Sequence, residues 1–169
     1  MLKKTKVFKL RKQYFSASYS LSYREPLYIV QGEKQFLYDN KGKRYLDAVN
    51  NLQHVGHSHP KVLEAATKQL KRLNTNTRYL NDVVSRYAEK LIKKMPGNLN
   101  TCFFTNSGSE SNDLALRIAK IHTDGDQTIV LDGAYHGHLT SLIEISPYKF
   151  NGPGGAGIGK NVHVAPAPD

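Results

Sequence analysis

The sequence predicts an α/β protein: a short extended N-terminal segment, then the start of a larger parallel-sheet domain. Three observations carry this. Residues 25–51 read as extended, with a turn signal in their middle. From Pro60 onward, apolar residues recur at helical spacing in segments closed by Gly or Pro. Beyond residue 100, the short apolar runs "TCFF", "QTIVLD" and "NVHVA" alternate with helical stretches, and that alternation calls for parallel strands joined by crossover helices. The pattern changes near residue 55, with an arm and hairpin over 1–55 and alternating helices and strands over 56–169.

The elements follow in order. "QFLYD" and "RYLDA" flank "NKGK", a hairpin signal with Gly42 available for the turn. Pro60 suits the first position of a helix, on which Val62, Leu63, Ala66, Leu70 and Leu73 share one face. A second helix starts at about Asp82, turns Val83, Tyr87, Leu91 and Ile92 inward, and stops before Pro96-Gly97. A strand over Thr101–Thr105 leads into a helix reaching about His122, and "TDGD" links that helix to the strand "QTIVLD". This reads as a βαβ unit of about 30 residues. A short helix near His138–Glu144 and the strand "NVHVA" continue the pattern.

Composition narrows the class. With 39% hydrophobic and 22% charged residues, the 169-residue chain is of globular rather than disordered type. No apolar run approaches the roughly 20 residues a membrane helix needs, so no membrane partner is expected. The single cysteine, Cys102, excludes an intramolecular disulfide and fits a reducing, cytoplasmic setting. The net charge of +10 raises nucleic-acid binding, but seven of the 24 basic residues stand before Glu25 and the rest are scattered. No zinc-finger spacing or aromatic-basic RNA signature accompanies them, so no nucleic-acid partner is expected. The acid-free leader faintly resembles a mitochondrial presequence and lacks the apolar core of a secretory signal.

The chemistry concentrates in "TNSGSESND", Thr105 to Asp113. Ser107 and Glu110 have the spacing of a capping box, in which the serine accepts from the third helical N–H and Glu110 reaches back to the Ser107 N–H. The N–H groups of Gly108 and Ser109 then point outward at the positive end of the helix dipole. Gly108 allows close approach to the backbone, and the Ser109 hydroxyl offers another donor. Such a junction, at the carboxyl end of a parallel strand, suits a phosphate group. After the next strand comes "DGAYHGH", which brings the aromatic Tyr135 and its neighbour His136 to an adjacent strand end. A phosphate seat beside an aromatic plate suits a phosphorylated heteroaromatic cofactor.

"FFTNSGSESNDLALRIAK" followed by "LDGAYHGH" resembles the class III aminotransferases, enzymes of fold type I that depend on pyridoxal 5'-phosphate (PLP). "YLDAVNNLQHVGHSHPKV" is similar to that family's N-terminal signature. The likeness runs from about Tyr14 to Asp169. "LNTNTRYL", "AYHGHLTSLIEISPYKF" and "VHVAPAPD" resemble the family's phospho-lyase branch, whose members cleave phosphoethanolamine or phosphohydroxylysine.

The resemblance implies roles. Gly108 and Ser109 hold the cofactor phosphate, with Ser107 supporting the loop. Tyr135 stacks on the pyridine ring, His136 lies beside it, and Glu110 is the acidic residue near the site. Asn50, Asn51 and Gly56 fall on the substrate side, and Arg78 is an anion contact for the substrate. It also implies a small-molecule primary amine as substrate, a homodimer, and transamination or phosphate elimination as the reaction. The lysine that binds the cofactor covalently lies further along in the family. Lys120, Lys149 and Lys160 match no such position, so the chain reads as an N-terminal fragment without activity of its own. The alternative is an inactive remnant or a fragment that only dimerises.

Two other patterns point elsewhere. His54, His57, His59, His136 and His138 raise a zinc site, but no cysteine or carboxylate completes a recognised spacing, and no metal is expected. Gly154 to Lys160 echoes a nucleotide-binding P-loop, yet Asn161 follows the lysine and two prolines follow soon after. The required strand and helix are missing, leaving a flexible loop.

Overall fold

The structure, a computed structural model, describes residues 1–49 and 54–168. The expected contacts of Asn50 and Asn51 lie outside the described residues. The chain divides into two compact units, Met1–Leu80 and Asn81–Asp169.

The first unit begins with helix α1 (Lys4–Tyr14), where the sequence suggested only a basic leader. Arg11 and Lys12 occupy its last turn, which favours the negative end of the dipole. The Arg11 guanidinium stands over the rings of Phe15 and Tyr19, 5.0 and 5.4 Å from their centroids, and donates to the Tyr19 carbonyl. Strands β1 (Ile29–Glu33), β2 (Phe36–Asp39) and β3 (Arg44–Leu46) form an antiparallel sheet in that order. The expected hairpin is β2–β3, with Leu37 opposite Tyr45 and Gly42 at a φ of 79° in the turn. Asp39 closes that turn by accepting from the N–H groups of Lys41 and Lys43.

The first sheet is extended by the segment after the undescribed residues. His57 exchanges backbone hydrogen bonds with Lys34, and its ring Nε2 lies 2.6 Å from Asp47 Oδ2. Gly56 has a φ of 87°, and a Cβ there would come within 2.9 Å of the Lys34 Cα. Helix α2 (Pro60–Arg72) starts at its proline as expected. Its apolar face, including Leu63 and Leu70, is exposed rather than buried.

The second unit opens with helix α3 (Asp82–Ile92), capped by Asn81, whose side chain accepts from the Val83 N–H. Val83 and Tyr87 on it are again exposed. Residues 101–105 do not form the expected strand. A strand is defined by its ladder, and among the described residues nothing pairs with this segment. Phe103 and Phe104 are exposed, and Phe104 packs against Tyr87 with ring centroids 5.3 Å apart.

Helix α4 (Gly108–Thr123) follows, closed by Asp124 in the left-handed region. Strand β4 (Thr128–Leu131) then pairs in parallel with β5 (Val162–Ala165), Val130 opposite Val164. The parallel crossover thus runs between β4 and β5, one step later than the sequence suggested. Two short helices occupy it: α5 (Thr140–Ile143), near its expected place, and α6 (Pro147–Phe150), which was not anticipated. The buried apolar side chains of this unit are Val130, Leu142 and Phe150, and Ser146 and Pro147 are buried as well.

Candidate functional site

The start of α4 carries the predicted cap with one change of partner. Ser107 has extended backbone, and its Oγ accepts from the Glu110 N–H at 3.1 Å. The Glu110 carboxylate reaches back past Ser107 to the Asn106 N–H, at 2.6 Å. That shift by one residue leaves three consecutive N–H groups, of Ser107, Gly108 and Ser109, without a protein partner among the described residues. They lie at the positive end of a 16-residue helix. A Cβ built on Gly108 would meet nothing within 4 Å, so the space beside the backbone is open.

The Ser109 hydroxyl behaves differently from the expectation. It accepts from the His138 N–H at 3.2 Å and lies 3.1 Å from the His138 ring Nδ1. Instead of facing an incoming anion, it ties the helix start to the loop after β4. Ser109 is consequently buried, at 8% exposure.

That loop is pinned at several points. Ala134 accepts from the Tyr148 N–H, the His136 N–H donates to the buried Ser146 Oγ, and the His136 carbonyl accepts from Asn112 Nδ2. Gly137 adopts a φ of 140°, and a Cβ there would fall 2.7 Å from Ser109 Oγ and 2.6 Å from Leu142 Cδ1. Only glycine permits so close a crossing of loop and helix. Tyr135 is held on this fixed loop with its ring about half exposed, edge-on to Tyr148 at 6.1 Å. The His136 Nε2 atom is buried and has no hydrogen-bond partner among the described residues. An orphaned buried nitrogen calls for a partner from outside the chain.

Ser107, Gly108, Ser109 and Glu110 are therefore brought together with Tyr135 and His136 in the second unit. Arg78 belongs to the first unit, in the turn after α2, where its N–H donates to Asn76 Oδ1 and its side chain is exposed. Four further residues contribute: His138 and Lys149, which the sequence raised in other roles, and Asn112 and Ser146, which no sequence pattern singled out. The spacing of His138, Asn112 and Ser146 to their partners is 29, 24 and 10 residues, beyond any local pattern. Lys149 lies with its Nζ 5.5 Å from the Tyr135 ring centroid.

Donor set and cradle fit a phosphorylated aromatic cofactor: free N–H groups for a phosphate, open space at Gly108, and an exposed ring on a rigid loop. Known proteins agree. The chain is 52% identical over 169 residues to "Alanine--glyoxylate aminotransferase 2-like" of Drosophila melanogaster, covering 99% of this chain and 34% of that one. It is 42% identical over 167 residues to "Ethanolamine-phosphate phospho-lyase homolog 1" of Caenorhabditis elegans, covering 98% and 36%. Among solved structures, a phospholyase from Arthrobacter in complex with phosphoethanolamine superposes with a TM-score of 0.89 at 43% identity, over 96% of this chain and 38% of that one. The chain thus spans about a third of the length of these curated relatives, and its fold is that of the N-terminal part of a fold type I enzyme. The model of "Aminotransferase class-III" matches residues 18–151, and the chain belongs to that family of enzymes.

Proposed function

We propose that this chain supplies the cofactor seat of a PLP-dependent enzyme that acts on a primary amine. The observation that carries the reading is the trio of unpartnered N–H groups at Ser107, Gly108 and Ser109, locked through Ser109 and Asn112 to the loop bearing Tyr135. The trio holds the cofactor phosphate through its N–H groups and the helix dipole. Tyr135 stacks on the pyridine ring, and His136 presents its orphaned Nε2 to the edge of the bound group. Glu110 acts on the backbone, shaping the helix start through Asn106 rather than touching the ligand. When bound, the cofactor supplies an electron sink for the substrate carbon that carries the amine.

The substrate side is proposed to include Asn50, Asn51 and Arg78. The lysine that binds the cofactor covalently is proposed to come from outside these 169 residues, a reading that the length of the relatives supports. The exposed apolar faces of α2 and α3 support packing against further protein, within a homodimer of the complete enzyme. The division into an arm of residues 1–55 and a cofactor-binding part of 56–169 belongs to the same proposal, as does a cytoplasmic setting. The reaction is transamination, or elimination of phosphate from a phosphorylated amine; the likeness to the Arthrobacter phospholyase supports the second. The alternative, a remnant that dimerises without chemistry, rests on those same exposed faces.

Titration of the chain with PLP and with pyridoxal, followed by absorbance and tyrosine fluorescence, tests the seat. The phosphorylated form is expected to bind at least about tenfold more tightly, and Gly108→Val to abolish the difference by filling the open space. Equal binding of the two forms would remove the phosphate assignment.

A further inference from the structure

Helix α6 is a single turn, but it is firmly set. Pro147 and Phe150 are buried, the Tyr148 N–H donates to the Ala134 carbonyl at 3.1 Å, and the Lys149 N–H donates to the Ser146 carbonyl at 2.8 Å. Tyr148 and Lys149 are thereby left exposed on a fixed base. The Lys149 ammonium lies in the angle between two rings, 5.5 Å from the centroid of Tyr135 and 5.5 Å from that of Tyr148. The rings themselves meet nearly edge to face, at 74°.

Aromatic faces attract an ammonium but accept few of its hydrogen bonds. Lys149 forms no ion pair among the described residues, whereas Lys93, also on the surface, is paired with Glu89 at 2.6 Å. The side chain is thus a positioned cation with its N–H donors open, placed on the same tyrosine that forms the aromatic plate. The cofactor phosphate already has its seat at the start of α4. A second fixed positive charge at the plate is suited to a second anion, carried by the substrate.

We infer that Lys149 is a specificity-determining residue that receives the phosphate of a phosphorylated amine. The inference rests on the reading of Tyr135 as the cofactor plate. It also gives a physical reason for phosphate elimination over transamination of an uncharged amine: a substrate without an anionic group leaves this ammonium unpaired. Tyr148 then acts as a positioning residue, holding the lysine stem against the plate.

Two arms keep the inference and its foundation separate. In the first, the chain without cofactor is titrated with phosphoethanolamine and with ethanolamine while the ring resonances of Tyr135 and Tyr148 are followed by NMR. Phosphoethanolamine is expected to shift both rings and to bind at least about tenfold more tightly than ethanolamine. Lys149→Met is expected to erase that preference, and Lys149→Arg to retain most of it. Equal titration by the two amines, or an unchanged preference in Lys149→Met, would overturn the assignment. In the second arm, PLP is added to the unsubstituted chain and followed by absorbance. PLP binding that perturbs the Tyr135 ring supports the plate. A Tyr135 ring unmoved by bound cofactor would remove the plate, and the assignment of Lys149 with it, whatever the first arm gives.

Discussion

The two sheets of this protein are built on opposite principles. In β1–β2–β3 every strand pairs with its neighbour in sequence, across turns of a few residues, and Asp39 secures one turn from within. In the second unit, β4 and β5 are parallel, with α5 and α6 between them. Alongside that pairing, α4 is tied to the segment after β4 by contacts made over long stretches of chain: Ser109 with His138, Asn112 with His136, Ser141 with Asp113. Antiparallel neighbours complete each other locally, whereas a parallel strand waits for a partner that the chain delivers later. Residues 101–105 show the consequence. They are as apolar as a strand requires, yet no partner stands beside them among the described residues.

If long-range contacts carry the second unit, the largest loss should come where the loop crosses the helix. Gly137→Ala is expected to destabilise that unit by about 2–4 kcal/mol, from strain at positive φ together with a clash at Ser109 and Leu142. Chemical denaturation read from the second-unit amides measures this, and a change within experimental error would break the comparison. A smaller effect is expected for Ser146→Ala. The hydroxyl is fully buried, donates to the Leu142 carbonyl and accepts from the His136 N–H. Its removal leaves that N–H unpaired, at a cost of about 1–3 kcal/mol. The same substitution should loosen Tyr135 and weaken PLP binding, which a structural role confined to α6 would not do.

The smallest effect belongs to the local sheet. Partial loss of water raises the Asp39 carboxyl, but hydrogen bonds from the N–H groups of Lys41 and Lys43 and from the Tyr45 hydroxyl, with the nearby Lys41 charge, outweigh it and leave the group below its ordinary value. A lowered folded value means that its contribution is present above the ordinary aspartate range and fades as the pH falls through the folded value. The β2–β3 turn should therefore open only in acid, below the ordinary value of 3.8. Amide exchange at Lys41 and Lys43, several-fold faster in acid after correction for the intrinsic rate, would sharpen the contrast. Opening of both units together would blur it.

The same division explains what could be read in advance. The hairpin at Gly42, the proline start of α2, the start of α3 at Asp82 and the serine cap of α4 follow from residues within four positions of one another. The proposed phosphate seat was legible for that reason: a cap and a glycine mark it locally. The internal engagement of Ser109, the orphaned nitrogen of His136 and the cation over Tyr135 were not. Ser109 meets a residue 29 positions away, and Lys149 stands far along the chain from Tyr135, with no periodic pattern to announce either contact.

The sequence by itself determined the type of most elements, the serine cap at the start of α4 and the likeness to a family of amine-handling enzymes. Capping, turn and helix signals act over a few residues, and local energies decide them. Only the tertiary structure decided which strands pair, which N–H groups remain without a protein partner among the described residues and which lysine stands over Tyr135. Those outcomes depend on which distant groups satisfy one another, and a hydrogen-bond donor is free only once every other part of the fold has found its partner.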